Sequence, residues 1–143
     1  MSTILNSNMY YDEKKVKLMN PAVLSFVGDA VFTLLVRERL ADVNRPSGQL
    51  HSLSVGFVCA GGQVKAFELI KDMLSEEETE IFKRGRNFHT GRTPKNASGK
   101  DYHTATGIET LFGYLYLSSK TDRLNELFLP IWQNFSDSIK EDL

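Results

Sequence analysis

The chain has 143 residues, 41% hydrophobic and 24% charged, with a net charge of −1. This is ample for one domain, residues 1–143, with its own core, and a single cysteine, Cys59, excludes an internal disulfide framework and fits a reducing compartment. No apolar run approaches the ~20 residues needed to span a bilayer and the N-terminus lacks a basic-then-apolar leader, so a cytoplasmic protein with no membrane partner is expected.

Helical spacing recurs along the chain and strand-like alternation never lasts, which predicts an all-α fold. Residues 1–18 are polar with scattered apolars and read as a loose or short helical entry. Asn20-Pro21 is a helix start, with Asn as N-cap and Pro in the first turn. From Ala22 to Leu40 the pattern is apolar nearly all round, so this helix is expected to be buried on most sides, apart from a stripe at i, i+4 spacing: Ser25, Asp29, Thr33, Arg37. Arg45-Pro46-Ser47-Gly48 breaks the pattern, and Leu50, Leu53, Phe57 and Val58 resume it. Cys59 reads as a buried small hydrophobe. Gly61-Gly62 predicts a kink before Val64, Phe67, Ile70 and Met73. Ser75 and Glu78 form a capping box, and the glutamates at 76, 77, 78 and 80 read as a solvated helix N-terminus. Residues 86–100 are rich in turn formers and predict a long loop, poorly ordered in the absence of a ligand. A second apolar helix is expected from about Tyr102 to Leu117. A last one is capped by Asp122 and kinked or split by Pro130.

Two acids stand out because each sits in an apolar helix: Asp29 and Glu109. Burying a carboxylate without a partner is costly, and a shared divalent cation is the usual remedy for two of them. Mid-helix glycines mark close packing, so helices crossing at Gly28 and Gly107 would bring the two acids within reach of one ion. Alternatively Asp29 pairs with Arg37 or another base, and Glu109 with a lysine; the pattern alone leaves both open. The three histidines lack zinc-site spacing, and Ser52 and Ser54 lie in no nucleophile turn, so His51 reads as a hydrogen-bonded interior or rim residue. From Lys83 to His103 there are six Lys/Arg against one acid, which suits a polyanion or, more plainly, a solvated helix end.

The segments Phe26-Val27-Gly28-Asp29-Ala30-Val31 and Ala105-Thr106-Gly107-Ile108-Glu109-Thr110-Leu111-Phe112-Gly113-Tyr114-Leu115 resemble the two acidic helices of ribonuclease III nuclease domains. With Arg84-Gly85-Arg86-Asn87 and Thr93-Pro94-Lys95-Asn96-Ala97 between them, the chain is most similar, over residues 19–128, to the mini-ribonuclease III branch, which lacks a double-stranded-RNA-binding domain. The resemblance implies an all-helical homodimer that cleaves double-stranded RNA with Mg²⁺ or Mn²⁺, leaving 5′-phosphate and 3′-hydroxyl ends. It further implies a role in maturation of the large-subunit (23S) ribosomal RNA precursor. Asp29 and Glu109 would be the metal-binding catalytic pair, and Ser25 and Thr106 stand where full-length ribonucleases III carry further acids. Arg84, Arg86, Lys95 and Lys100 are then expected to contact RNA, and Phe26 to pack in the dimer interface. The competing reading is an RNA-binding module of the same fold with little or no catalysis.

Overall fold

The computed structural model describes residues 11–88 and 99–141, and every regular element among them is helical. In chain order these are α1 (Glu13–Lys17), α2 (Pro21–Leu40), α3 (Ser47–Val58), α4 (Ala60–Ile70), a 3₁₀ turn (Lys71–Met73), α5 (Glu76–Arg86), α6 (Gly99–Leu117) and α7 (Thr121–Glu141). The expected all-α class holds.

The helix starts follow local chemistry. Asn20 Oδ1 accepts the Ala22 N–H at 2.8 Å, and Pro21 occupies the first turn of α2. Ser75 and Glu78 close a reciprocal capping box on α5. The α3–α4 corner bends by 59° at Cys59, one residue ahead of Ala60. The bend therefore precedes Gly61-Gly62, and Cys59 is exposed on it instead of buried. At the α6–α7 turn, Ser119 takes a left-handed φ of 61°. There the N–H groups of Ser119 and Lys120 donate to the carbonyls of Tyr116 and Leu115, closing the helix end. α6 begins at Gly99, three residues before the expected start, and α7 at Thr121, with Asp122 in its first turn. Pro130 neither ends nor splits α7, because buried Leu127, Phe128 and Ile131 on either side of it hold both halves on the core.

α6 is the central helix, enclosed by α2, α4, α5 and α7. Its residues Ile108, Leu111, Phe112, Tyr114 and Leu115 are fully buried. Phe32 of α2 meets Phe112 and Phe128 edge-on or tilted, at 5.5 and 5.8 Å between centroids, the geometry aromatic rings prefer. Phe67 stacks on Phe82 at 4.1 Å, joining α4 to α5.

The glutamates of α5 are not simply solvated. Glu78 is buried and takes two hydrogen bonds from Arg123, Nε and Nη2, each 2.8 Å. Burial alone would raise its pKa, but Arg123 and the Ser75 N–H together hold it below the usual range. The hydroxyl of Tyr114 lies 2.5 Å from Glu77 and 3.0 Å from Glu13, and Lys17 and Lys120 balance those acids. These contacts fix α1, α5 and α7 around α6.

Candidate active site

The site is built on a crossing of two backbones. A methyl group placed on Gly28 would lie 1.6 Å from the carbonyl oxygen of Glu109, and one on Gly113 would lie 1.9 Å from that of Leu24. Only glycine permits main chains to approach so closely. The expected partner of Gly28 was Gly107; the structure pairs it with Gly113 and Glu109 instead. Gly107 faces α5, where its missing side chain makes room for the Phe82 ring. Because Asp29 follows Gly28 and Glu109 is the residue Gly28 touches, the crossing itself sets the two acids side by side.

Their carboxyl groups adjoin each other closely enough to share a proton, and the amide of Gln63 of α4 adjoins Glu109. Burial, then the adjacent Asp29 charge and the proton shared with it, push the Glu109 carboxyl up to about 8, and the Gln63 amide opposes them. A proton thus joins two acids that would repel when both ionised. This is what two metal-ligating carboxylates do without their ion, and an all-oxygen donor pair suits a hard divalent cation. Neither alternative partner is present: among the described residues no ion pair joins Asp29 to Arg37 or Glu109 to a lysine. No third His, Cys, Asp or Glu joins the pair to make a larger cluster among the described residues. Thr106, where a further acid would be expected in longer relatives, donates its hydroxyl to the Tyr102 carbonyl at 2.9 Å. His51 is exposed and borders a cleft with Arg37 and Ser54, so of the interior and rim positions expected for it the structure gives the rim.

The basic residues separate into different roles. Arg84 is half-buried and donates to the carbonyls of Lys17 and Met19 at 2.6 and 3.0 Å, tying α5 to the α1–α2 connection. Two of its guanidinium donors therefore serve the fold, in addition to the RNA contact expected of it. Arg86 ends α5 with its guanidinium 5.9 Å from the Phe82 ring centre and Nε on Asn87, and Lys100 is exposed at the start of α6. Lys95 and most of the expected 86–100 loop lie outside the described residues.

Gln63 was missed by sequence reading. Its signal was a polar residue at i, i+4, i+7 with Phe67 and Ile70, on the core-facing register of α4. α2 also departs from expectation, since one face is open. Phe26 is 80% exposed, Val23 and Leu34 are about half exposed, and beside them runs an apolar groove of about 800 Å³. Val27, Ala30, Leu34 and Tyr116 line it, as does Asp29.

Residues 22–120, which contain both acids and the glycine crossing, match the Ribonuclease III domain model. The chain belongs to the ribonuclease III family. It is 37% identical to mini-ribonuclease 3 of Clostridium tetani over 134 residues, covering 92% of this chain and 89% of that one. It is 39% identical to mini-ribonuclease 3 of a Thermoanaerobacter species, covering 89% and 90%, and 45% identical to that of Kosmotoga olearia, covering 79% and 77%. The resemblance read from the motifs is borne out. A crystal structure of a Fusobacterium nucleatum protein shares the fold at a TM-score of 0.73 and 24% identity, covering 93% of this chain and all of that one. The family is one of endoribonucleases, so its members are hydrolases of phosphodiester bonds.

Proposed function

We propose that this protein is a Mg²⁺- or Mn²⁺-dependent endoribonuclease that cleaves double-stranded RNA as a homodimer. The observation that carries the reading is the Asp29–Glu109 pair, pinned by the Gly28–Gly113 crossing inside the two helices that match the family. The relatives named mini-ribonuclease 3 support the endoribonuclease reading; the motif resemblance to that branch extends it to duplex RNA and to trimming of the 23S ribosomal RNA precursor in the cytoplasm.

Asp29 and Glu109 are the residues that would hold the ion. A divalent cation held there would supply water activation and charge neutralisation at the departing 3′ oxygen, the chemistry that gives 5′-phosphate and 3′-hydroxyl ends. The chain's own part is to present both carboxylates ionised and to keep them from moving apart. Glu109 must therefore lose the proton it keeps when metal-free, so loading releases protons and strengthens as pH rises. Arg86, Lys95 and Lys100 lie on or beside the 86–100 segment and are positioned in sequence to meet phosphates. A-form RNA offers shape, 2′-hydroxyls and backbone charge more readily than base edges, so such contacts place the duplex without reading it.

The open face of α2 supports the dimer. An exposed phenyl ring beside an apolar groove on the same helix is self-complementary, so a two-fold axis would let Phe26 of each copy enter the other's groove. Asp29 borders that groove, which would put two sites along one duplex, one for each strand.

The test is incubation of labelled duplex and single-stranded RNA with the protein in Mg²⁺ or in EDTA. Cleavage of duplex only, abolished by EDTA and by Asp29→Asn or Glu109→Gln with RNA binding retained, is the expected result. Binding of duplex without metal-dependent cleavage would instead establish the non-catalytic module.

A further inference from the structure

Gln63 is 2% exposed, a full side-chain amide in the interior of a helix otherwise packed with Ala66, Phe67 and Ile70. Both ends of its anchorage lie at the α3–α4 corner. Its backbone N–H donates to the Cys59 carbonyl at 3.0 Å, and its side-chain Nε2 donates to the Val58 carbonyl at 3.0 Å. The preceding Gly62 lets the first turn of α4 fold back on α3, since a methyl there would lie 2.3 Å from the Phe57 carbonyl oxygen. The corner is thus a rigid mount, and the amide's remaining N–H is the one available to the Glu109 carboxyl, which the amide adjoins and whose charged form it favours.

Two features indicate that the amide serves Glu109 and not the core. Both neighbours accept: the Val58 carbonyl always does, and the Glu109 carboxylate does once it is ionised. This fixes the NH₂ end toward them and leaves no freedom to flip the group. The cost of that orientation is visible, because Oε1 is buried with no hydrogen-bond partner. A leucine or methionine would fill the same space without stranding a polar atom.

We propose that Gln63 is the positioning residue of the metal site: from the α3–α4 corner, its amide N–H holds the ionised Glu109 carboxylate in place beside Asp29. The proposal rests on the reading of Asp29 and Glu109 as ligands of a divalent cation. With only two carboxylates from the chain, the ion would depend heavily on how each is oriented, and outer partners of metal ligands typically contribute 10–100-fold in affinity.

The experiment measures Mn²⁺ binding to the full-length protein by electron paramagnetic resonance of the free ion, alongside cleavage of duplex RNA. Wild type should bind Mn²⁺ saturably, and Asp29→Asn should abolish it; if wild type shows no such binding, the cation reading itself falls, and this proposal with it. Given wild-type binding, Gln63→Met should weaken Mn²⁺ about 10–100-fold while the circular dichroism spectrum and melting temperature stay at or above wild type. Its cleavage should recover at saturating Mn²⁺, with the KM for RNA unchanged, a pattern that loss of packing would not give. Gln63→Asn keeps an amide but withdraws it by one methylene, and should weaken Mn²⁺ in the same direction. Wild-type Mn²⁺ affinity in either folded variant would overturn the proposal. So would loss of fold in both, which would make Gln63 a residue of the core.

Discussion

Replacing Glu109 by Gln should stabilise the metal-free protein while abolishing its cleavage. In the folded chain without an ion the Glu109 carboxyl titrates at about 8, against an ordinary value of 4.5, because burial and Asp29 oppose its charge. Between those pH values the folded state binds more protons than the unfolded one, so stability falls as pH rises through the window. The stability this proton contributes is fully present below 4.5 and is lost by pH 8 to 9. With about 1.4 kcal/mol per pKa unit, the loss from pH 5 to pH 8 is about 3 kcal/mol. The neutral amide of Gln removes it. The assay is urea unfolding in EDTA at fixed protomer concentration, at half-unit steps from pH 5 to 8, for wild type and Glu109→Gln. Glu13, Glu77 and Glu78 all have lowered pKa values, so their contributions stay in place across this range. The histidines are common to both proteins and cancel in the difference. The two curves should converge near pH 5 and separate by about 3 kcal/mol at pH 8. Mg²⁺ should close that gap for wild type alone, by mass action on the folded state. Parallel curves in EDTA would refute the argument that Asp29 and Glu109 are held together by a proton.

Phe26→Asp should convert the proposed homodimer to monomer in sedimentation equilibrium at micromolar concentration, since it puts a charge into an apolar groove. Gly28→Ala should lower stability by several kcal/mol or prevent folding, because its methyl would have to displace the Glu109 backbone. Gly99→Ala, with open space around it, should be neutral in the same thermal melt. Replacing Arg86, Lys95 and Lys100 by Ala should reduce the slope of log affinity against log salt for duplex RNA by about 2–3 units. Arg84→Ala should lower the melting temperature, because its guanidinium serves two backbone carbonyls.

Much of this was readable in the chain. The two acids, their helices and the capped starts of α2 and α5 depend on neighbours within a turn, and such signals survive in one dimension. What was not readable depends on contacts between distant segments. Gly107 and Gly113 lie six residues apart on one helix and so face different neighbours, and spacing alone could not say which meets α2. Glu77 and Glu78 look like surface charge until Tyr114 and Arg123, 37 and 45 residues away, are brought to them. Arg84 reads as one of a basic run, but its partners are carbonyls at the end of a short helix in a region with no apolar period. Cys59 sits in an apolar run, yet the chain turns there and carries it outward. The largely apolar character of α2 was legible; that one side of it stays open in the single chain was not.

The Gly28–Gly113 crossing has a consequence for how the sequence can change. The separation of the two main chains that carry the acids is set by direct contact of peptide backbones, a dimension that side chains elsewhere do not set. Leucine may replace isoleucine throughout the surrounding interior, and helices may tilt at their far ends, without altering the interval at which Asp29 and Glu109 stand. For the spacing of the acids the intolerance is concentrated at Gly28 and Gly113, where a single carbon atom decides between a working gauge and a broken one. Lineages of this fold can therefore drift widely in sequence while keeping the spacing between their acids, provided those two hydrogens are never replaced.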